Sequence, residues 1–397
     1  MSTSLAPVRR LFTVVNGGTP TADVDNWDGD VAWATPMDLG ASNGGLLGST
    51  GRTITERGLA TGSAAIGPGC LLCSTRAPIG YVVQTSTRTA FNQGCRGLVP
   101  RTALDVRFYR YAIAALSPAL QVRGQGSTFS ELSTEGLASL PVPNPATREQ
   151  CAIADFLDAA TARIDDLLSK KQRLVGLLQE RVDSELMTFV GSSDIVHGKE
   201  AVTAAPIRRV LCKLDRPVRE DQIVTAFRDG QVTAQALRRS EGFTQSWTDA
   251  ARVQGVRSGD VVVHGLDGFA GAIGTSEVDG VCSPIYHVAI PTDGGDSHCH
   301  GRLLRLLATT GYLGMFASST RERAVDFRNW DLFGRIPIPR IDVVDQRRIG
   351  DRIRKLAPLR VAVDRSAELV AERKQALVTA AVTGQLDLAR ELAKEAS

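Results

Sequence analysis

Leu140-Pro141-Val142-Pro143, followed by Gln150 and Ile153, recurs as Ile336-Pro337-Ile338-Pro339, followed by Gln346 and Ile349. The offset is 196 residues at both markers, from 140 to 336 and from 150 to 346, far too long for a solenoid repeat. Each copy closes a stretch of short β-branched runs cut by Gly and Pro, and each opens a long segment of helical periodicity. The chain reads as globe, rod, globe, rod: an ancient duplication of one domain plus one helix.

At the first copy, Pro145 ends an extended segment, Thr147 can cap a helix, and Glu149 and Gln150 fall in the first turn, where the helix dipole favours a carboxylate. Ile153, Leu157, Ile164, Leu168, Val175, Leu178, Val182 and Leu186 then keep one stripe on one side, and no proline intervenes before Gly191. This predicts about 44 residues of helix, roughly 65 Å long. With charges on its other faces, such a helix needs a partner for its stripe. The second copy supplies one through Ile349, Ile353, Leu356, Leu359, Val363, Leu369, Leu377 and Val378. Pro358 predicts a break or kink near Ala357, and hence a second rod in two pieces. Farther along, Glu180-Arg181 matches Glu372-Arg373 at an offset of 192, so the second rod is about one turn shorter and its stripe stays in phase.

The globes read as mixed α/β domains. In the first, strands are expected at Arg10 to Val15, Cys70 to Ser74 and Tyr81 to Gln84, with helices at Arg107 to Leu116 and from Ser130. In the second, Gly259 to His264 and Ile285 to Ile290 are strand-like and Leu303 to Ala308 helical, while His298-Cys299-His300 reads as an exposed loop after Asp293-Gly294-Gly295-Asp296. The expected fold class is α+β, two such domains separated by two long helices pairing as an antiparallel coiled coil with a pseudo-twofold internal repeat. The boundaries are 1–145, 146–191, 192–340 and 341–397.

Composition narrows the functional classes. The chain has 397 residues, 43% of them hydrophobic and 22% charged, which suits two or three globular domains. No apolar run reaches signal-peptide or membrane-span length, so a cytoplasmic protein is expected. Seven scattered cysteines suit reduced thiols; the single Cys70-x-x-Cys73 lacks the second pair a zinc site needs and reads as buried strand. The net charge of +3 neither requires nor forbids nucleic acid. Lysine supplies seven of the 46 basic residues and arginine the rest, which suits bidentate reading of guanine and phosphate or simply reflects a GC-rich genome.

The segment Leu140-Pro141-Val142-Pro143 through Glu149-Gln150, Ile153, Phe156-Leu157-Asp158, Arg163-Ile164-Asp165 and Lys170-Lys171 resembles the first conserved helical region of the DNA-specificity subunit of type I restriction-modification systems. Asp345 to Ile349 together with Ala371 to Gln385 is similar to that family's closing helix. In the first globe Asn16-Gly17-Gly18-Thr19-Pro20, Trp33, Ser74-Thr75-Arg76-Ala77, Asn92-Gln93-Gly94 and Gly126-Ser127-Thr128-Phe129 resemble its target recognition domains. The second globe departs, having neither an Asn-Gln-Gly nor a Gly-Ser-Thr-Phe segment. The resemblance implies that each globe reads one half of a bipartite, asymmetric site on double-stranded DNA. It also implies two modification subunits, which methylate adenine using S-adenosylmethionine, and ATP-hydrolysing restriction subunits. The chain itself would be non-catalytic, with no cofactor and no membrane contact.

The sequence is in keeping with that division of labour, for it contains no Gly-x-x-x-x-Gly-Lys-Ser/Thr loop and no Asn-Pro-Pro-Tyr segment. Ser283, His287 and Asp267 can be drawn as a hydrolase triad, but five histidines make some such trio expected by chance. In the first globe the candidate DNA contacts are Arg76, Arg96 and Arg123 beside turns, Asn92 and Gln93 as adenine-pairing amides, Gly18 and Thr19 near phosphate, and Ser127. In the second they are Arg228, Arg238, Arg239 and His264. For every one of them the alternative is a surface salt bridge or a turn-capping side chain. The competing function is a coiled-coil scaffold whose globes bind proteins without DNA specificity; a methyl-transfer or nuclease enzyme comes third.

Overall fold

Each copy of the repeated proline motif forms one strand of a two-stranded antiparallel ribbon with the start of its own globe. Pro141–Pro143 pairs with Leu5–Pro7, and Pro337–Pro339 pairs with Ala204–Pro206. Proline cannot donate to a ladder, which keeps these strands out of larger sheets. The residue between the prolines, Val142 or Ile338, is fully buried, contributing on the order of 2 kcal/mol. The repeat thus ties the two ends of each globe together where the rod begins.

In this computed structural model the described residues are 4–76, 78–124, 131–192, 204–238, 253–316 and 327–387. The chain divides into two compact units, Met1–Leu168 with Ser366–Ser397, and Ser169–Arg365. In the first unit a five-stranded sheet runs in the order Phe12–Asn16, Cys95–Pro100, Leu71–Ser74, Val82–Thr85 and Leu46–Leu47. A four-stranded sheet, Arg52–Ile54, Trp27–Ala34, Thr89–Phe91 and Ala64–Ile66, accompanies it. In the second unit the main sheet has the order Leu211–Leu214, Tyr286–Pro291, Val261–His264 and Ile273–Thr275. That order repeats the first four strands of its counterpart.

Helix Val106–Ala115 in the first unit and helix Ser297–Thr309 in the second are each capped by an aspartate, Asp105 and Asp296, whose side chain accepts a backbone N–H of the first turn. The repeated glutamine clamps that cap. The Gln150 Oε1 accepts the Asp105 N–H at 3.0 Å while its Nε2 donates to the Pro145 carbonyl at 2.9 Å. Gln346 does the same with the Asp296 N–H at 3.0 Å and the Ile341 carbonyl at 2.7 Å. Both amides are buried, so the conserved spacing inside the repeat has a structural cause.

The rods are helices Thr147–Ser192 and Val343–Val382. Within the first unit Ile153 and Leu157 share a core with Val378 and Val382, and the Lys374 Nζ donates to Asp165 at 2.8 Å. Within the second, Val182, Leu186 and Val190 share a core with Ile349, and Glu185 accepts from Arg348 and Arg352. In both units the paired segments run antiparallel, as expected.

Several expectations need correction. The second helix is continuous through Pro358: a proline removes one backbone hydrogen bond, a local loss that leaves the rest of the helix in place. Leu359 and Leu369 face solvent instead of the stripe. Ala146, not Thr147, is the residue whose carbonyl begins the first rod, accepting the Gln150 N–H at 3.0 Å. The first-globe strand starts at Phe12, after a helical turn over Val8–Leu11. His298-Cys299-His300 is the first turn of a helix, with Cys299 and His300 buried, because Asp296 supplies a cap that the Gly-rich context obscured. Cys70 and Cys73 are buried, and Cys73 lies in the Leu71–Ser74 strand.

Candidate nucleic-acid interface

The Asn16 to Thr21 loop of the first unit holds Gly18 and Thr19 and lies against Asn92 and Gln93, four of the residues expected to touch DNA. Gly17 and Gly18 are glycines for want of room: a Cβ at Gly17 would lie 2.1 Å from the Asn92 carbonyl oxygen, and one at Gly18 2.2 Å from that of Gly62. Their tightness serves packing between loops. The Gly18 carbonyl accepts from the Trp33 indole N–H at 3.1 Å. Next to it the exposed Thr19 hydroxyl donates to the Gln93 side-chain oxygen. Asn92 caps its own turn, its Oδ1 accepting the Gly94 N–H at 3.0 Å.

Arg96 extends this cluster inward. Its guanidinium donates to the Gln93 carbonyl at 2.7 Å, the Cys95 carbonyl at 3.0 Å and the Thr134 hydroxyl at 3.0 Å, leaving the side chain only 11% exposed. Arg76 is more open and pairs with Glu131 at 3.1 Å, a carboxylate that also lies 3.8 Å from Arg96. Arg123, exposed, donates to the Gly136 carbonyl at 3.2 Å. Thr19, Gln93, Arg96 and Arg76 are therefore one connected group presenting a hydroxyl, an amide and a guanidinium. Ser127 lies outside the described residues.

In the second unit Arg228 and His264 meet at Asp267. Arg228 pairs with Asp267 at 3.0 Å and is largely exposed. Arg238 stacks on the Phe227 ring at 4.4 Å and pairs with Asp229 at 2.9 Å, a carboxylate shared with Arg360 of the second long helix. Burial alone would raise the Asp229 carboxyl, but hydrogen bonds from Arg238 and Arg360 outweigh it and hold the pKa below the ordinary value. His264 turns the chain: its Nδ1 accepts the N–H groups of Leu266 at 3.1 Å and Asp267 at 2.9 Å, which keeps the ring neutral on that side. Burial lowers its pKa against the opposing pull of Asp267. Arg239 lies outside the described residues.

His287 is buried with its Nε2 2.6 Å from the Phe327 carbonyl oxygen, and the Ser283 hydroxyl accepts the Ile285 N–H at 3.2 Å. Asp267 is taken by Arg228, so the paper triad has three separate employments. Asn144, nearest to a methyltransferase-like segment, accepts from the Tyr109 hydroxyl at 2.7 Å. One feature escaped sequence reasoning: the Arg52 guanidinium stacks 3.6 Å from the Trp27 ring centroid. Their separation of 25 positions has no local signature.

Residues 8–175 match the family described as the type I restriction modification DNA specificity domain. The specificity subunit of the type I restriction enzyme MjaIX from Methanocaldococcus jannaschii is 31% identical over 177 residues, 44% of this chain and 40% of that protein. A second relative from the same organism is 26% identical over 165 residues, 36% of its length. The chain thus spans about two fifths of the length of these curated relatives. Among solved structures, a chain from work on complex assembly and conformational transition of the type I R-M system superposes with a TM-score of 0.60 at 14% identity. The match covers 97% of this chain and 98% of that one, a likeness of fold. Residues 8–175 thus resemble a type I restriction modification DNA specificity domain, and the chain shares the fold of that solved neighbour.

Proposed function

We propose that this chain is a non-catalytic DNA-reading subunit that recognises a bipartite, asymmetric site and directs partner subunits to it. The globes within 1–145 and 192–340 act as the two target recognition domains, and the helices over 146–191 and from 341 act as spacers. Two modification subunits dock on the helical region and methylate adenine, and restriction subunits join them to translocate and cut. The observation that carries the reading is the connected Thr19, Gln93, Arg96 and Arg76 group on the domain that defines the family. Amide and guanidinium edges are the side chains that read adenine and guanine.

The test is a mobility shift with the purified chain and its modification partner, on DNA carrying the site found by methylation-sensitive sequencing of the host genome. Specific binding that weakens steeply with salt is expected. Equal binding to scrambled DNA would favour the protein-binding scaffold, and methylation by the chain alone would favour an enzyme.

A further inference from the structure

Arg52 opens the edge strand Arg52–Ile54 of the four-stranded sheet, and its side chain is exposed. Among the described residues no carboxylate pairs with it. That sets it apart from Arg57, Arg76 and Arg88 of the same globe, each held by an acid. Among the described residues the partner of its guanidinium is the Trp27 ring, which covers one face of that group on an exposed side chain.

The platform beneath it is built. Trp27 stands edge-on to Trp33, ring centroids 5.1 Å apart, and its indole N–H donates to the Thr21 carbonyl at 3.0 Å. Trp33 in turn donates to Gly18. Both tryptophans therefore brace the loop that carries Thr19, so Arg52 and the Thr19–Gln93 pair belong to one supported surface. The strand holding Trp27 is irregular just after it: Ile54 faces both Trp27 and Val31 across a bulge, with Asp28 at φ 60°. A bulge with a non-glycine residue in the left-handed region costs free energy and re-aims neighbouring side chains.

We propose that Arg52, pre-oriented on Trp27, is a base-reading residue of the first globe that donates both edge N–H groups to the O6 and N7 of a guanine in the major groove. This rests on the DNA-reading function proposed above. A phosphate would be a poorer ligand here, because the exposed Asp28 and Asp30 on the adjoining bulge add negative charge. The fixed fork loses little conformational freedom on binding, which favours a partner demanding planar geometry.

The experiment measures binding of the full chain with its modification partner to the cognate site and to variants with each G·C pair of the first half-site replaced in turn, over a salt series. Arg52→Lys and Arg52→Gln are each expected to lose about ten- to a hundredfold on the cognate site. Both should become indifferent to one G·C pair, while unchanged thermal melting shows that they fold. If Arg52→Lys binds like the wild type and Arg52→Gln weakens all sequences equally with a salt slope shallower by about one, Arg52 contacts phosphate and the inference is overturned. Unaltered affinity in Arg52→Gln overturns it as well. A wild-type chain that prefers no site removes the functional reading itself, and the inference with it.

Discussion

The two glutamines of the repeat show how a single buried amide can justify an invariant spacing. Gln346 satisfies a backbone donor at the start of one helix and a backbone acceptor at the start of another, and its side chain fits so closely that a Cβ on Gly295 would lie 1.8 Å from its Oε1. Leucine or alanine there leaves the Asp296 N–H and the Ile341 carbonyl buried without partners. Gln346→Ala is therefore expected to destabilise the protein by about 1–3 kcal/mol, and Gln150→Ala by a similar amount. Urea unfolding followed by circular dichroism measures both. A loss below about 0.5 kcal/mol, within the scatter of surface substitutions, would mean that water replaces the clamp without penalty.

At the scale of elements, the globes are latched to the rods by ion pairs of opposite polarity. Asp158 and Arg354 stand 196 positions apart, at matching places in the two long helices. Asp158 accepts from Arg107 at 3.0 Å, Arg110 at 2.9 Å and the Tyr111 hydroxyl at 2.7 Å, all on helix Val106–Ala115. Arg354 instead donates to Asp296, the cap of helix Ser297–Thr309. Arg110 is 7% exposed in its side chain, so Asp158→Ala strands a guanidinium in a nearly dry position. The expected cost is about 2 kcal/mol, below the roughly 3–5 kcal/mol of a fully buried pair because Asp158 itself is partly solvated. If urea unfolding of Asp158→Ala matches the wild type, the latch contributes nothing. This wiring is not legible in the sequence, although the rods and the strands at Leu71–Ser74 and Val261–His264 follow from periodicity and turn residues. Periodicity reports which face is apolar; it is silent on which charge meets which. The Arg52–Trp27 stack was hidden for a related reason, since it depends on a bulge that brings together positions far apart in the chain. Pro358 does not divide the second rod, because one lost hydrogen bond is a local cost within a helix of 40 residues.

For the molecule as a whole, the duplication kept the scaffold and let the titratable chemistry diverge. All five histidines fall between positions 197 and 300, and Met1–Leu168 with Ser366–Ser397 contains none. Burial pushes His264, His287, His298 and His300 below the ordinary histidine pKa. His287 lies stacked on Phe333 with its Nε2 against the Phe327 carbonyl, and the His300 Nδ1 is 2.9 Å from the Asp296 carbonyl oxygen. With native pKa values depressed, the unfolded chain takes up protons first as pH falls. The stability these rings contribute is complete above the unfolded value of about 6.5 and is lost as pH drops from there towards the native values. Carboxylates with lowered native pKa, such as Asp105, act in a more acidic range. Acidification from pH 7.5 to 5.5 should therefore loosen the second unit while sparing the first. Hydrogen exchange on the full chain, corrected for intrinsic rates, is expected to show lost protection in Val261–His264 and Ser297–Thr309, with Leu71–Ser74 and Val106–Ala115 unchanged. Equal loss in both units would show that the histidines do not govern the difference. If each unit reads its own half-site, the same pH step should weaken discrimination at the half read by the second unit first.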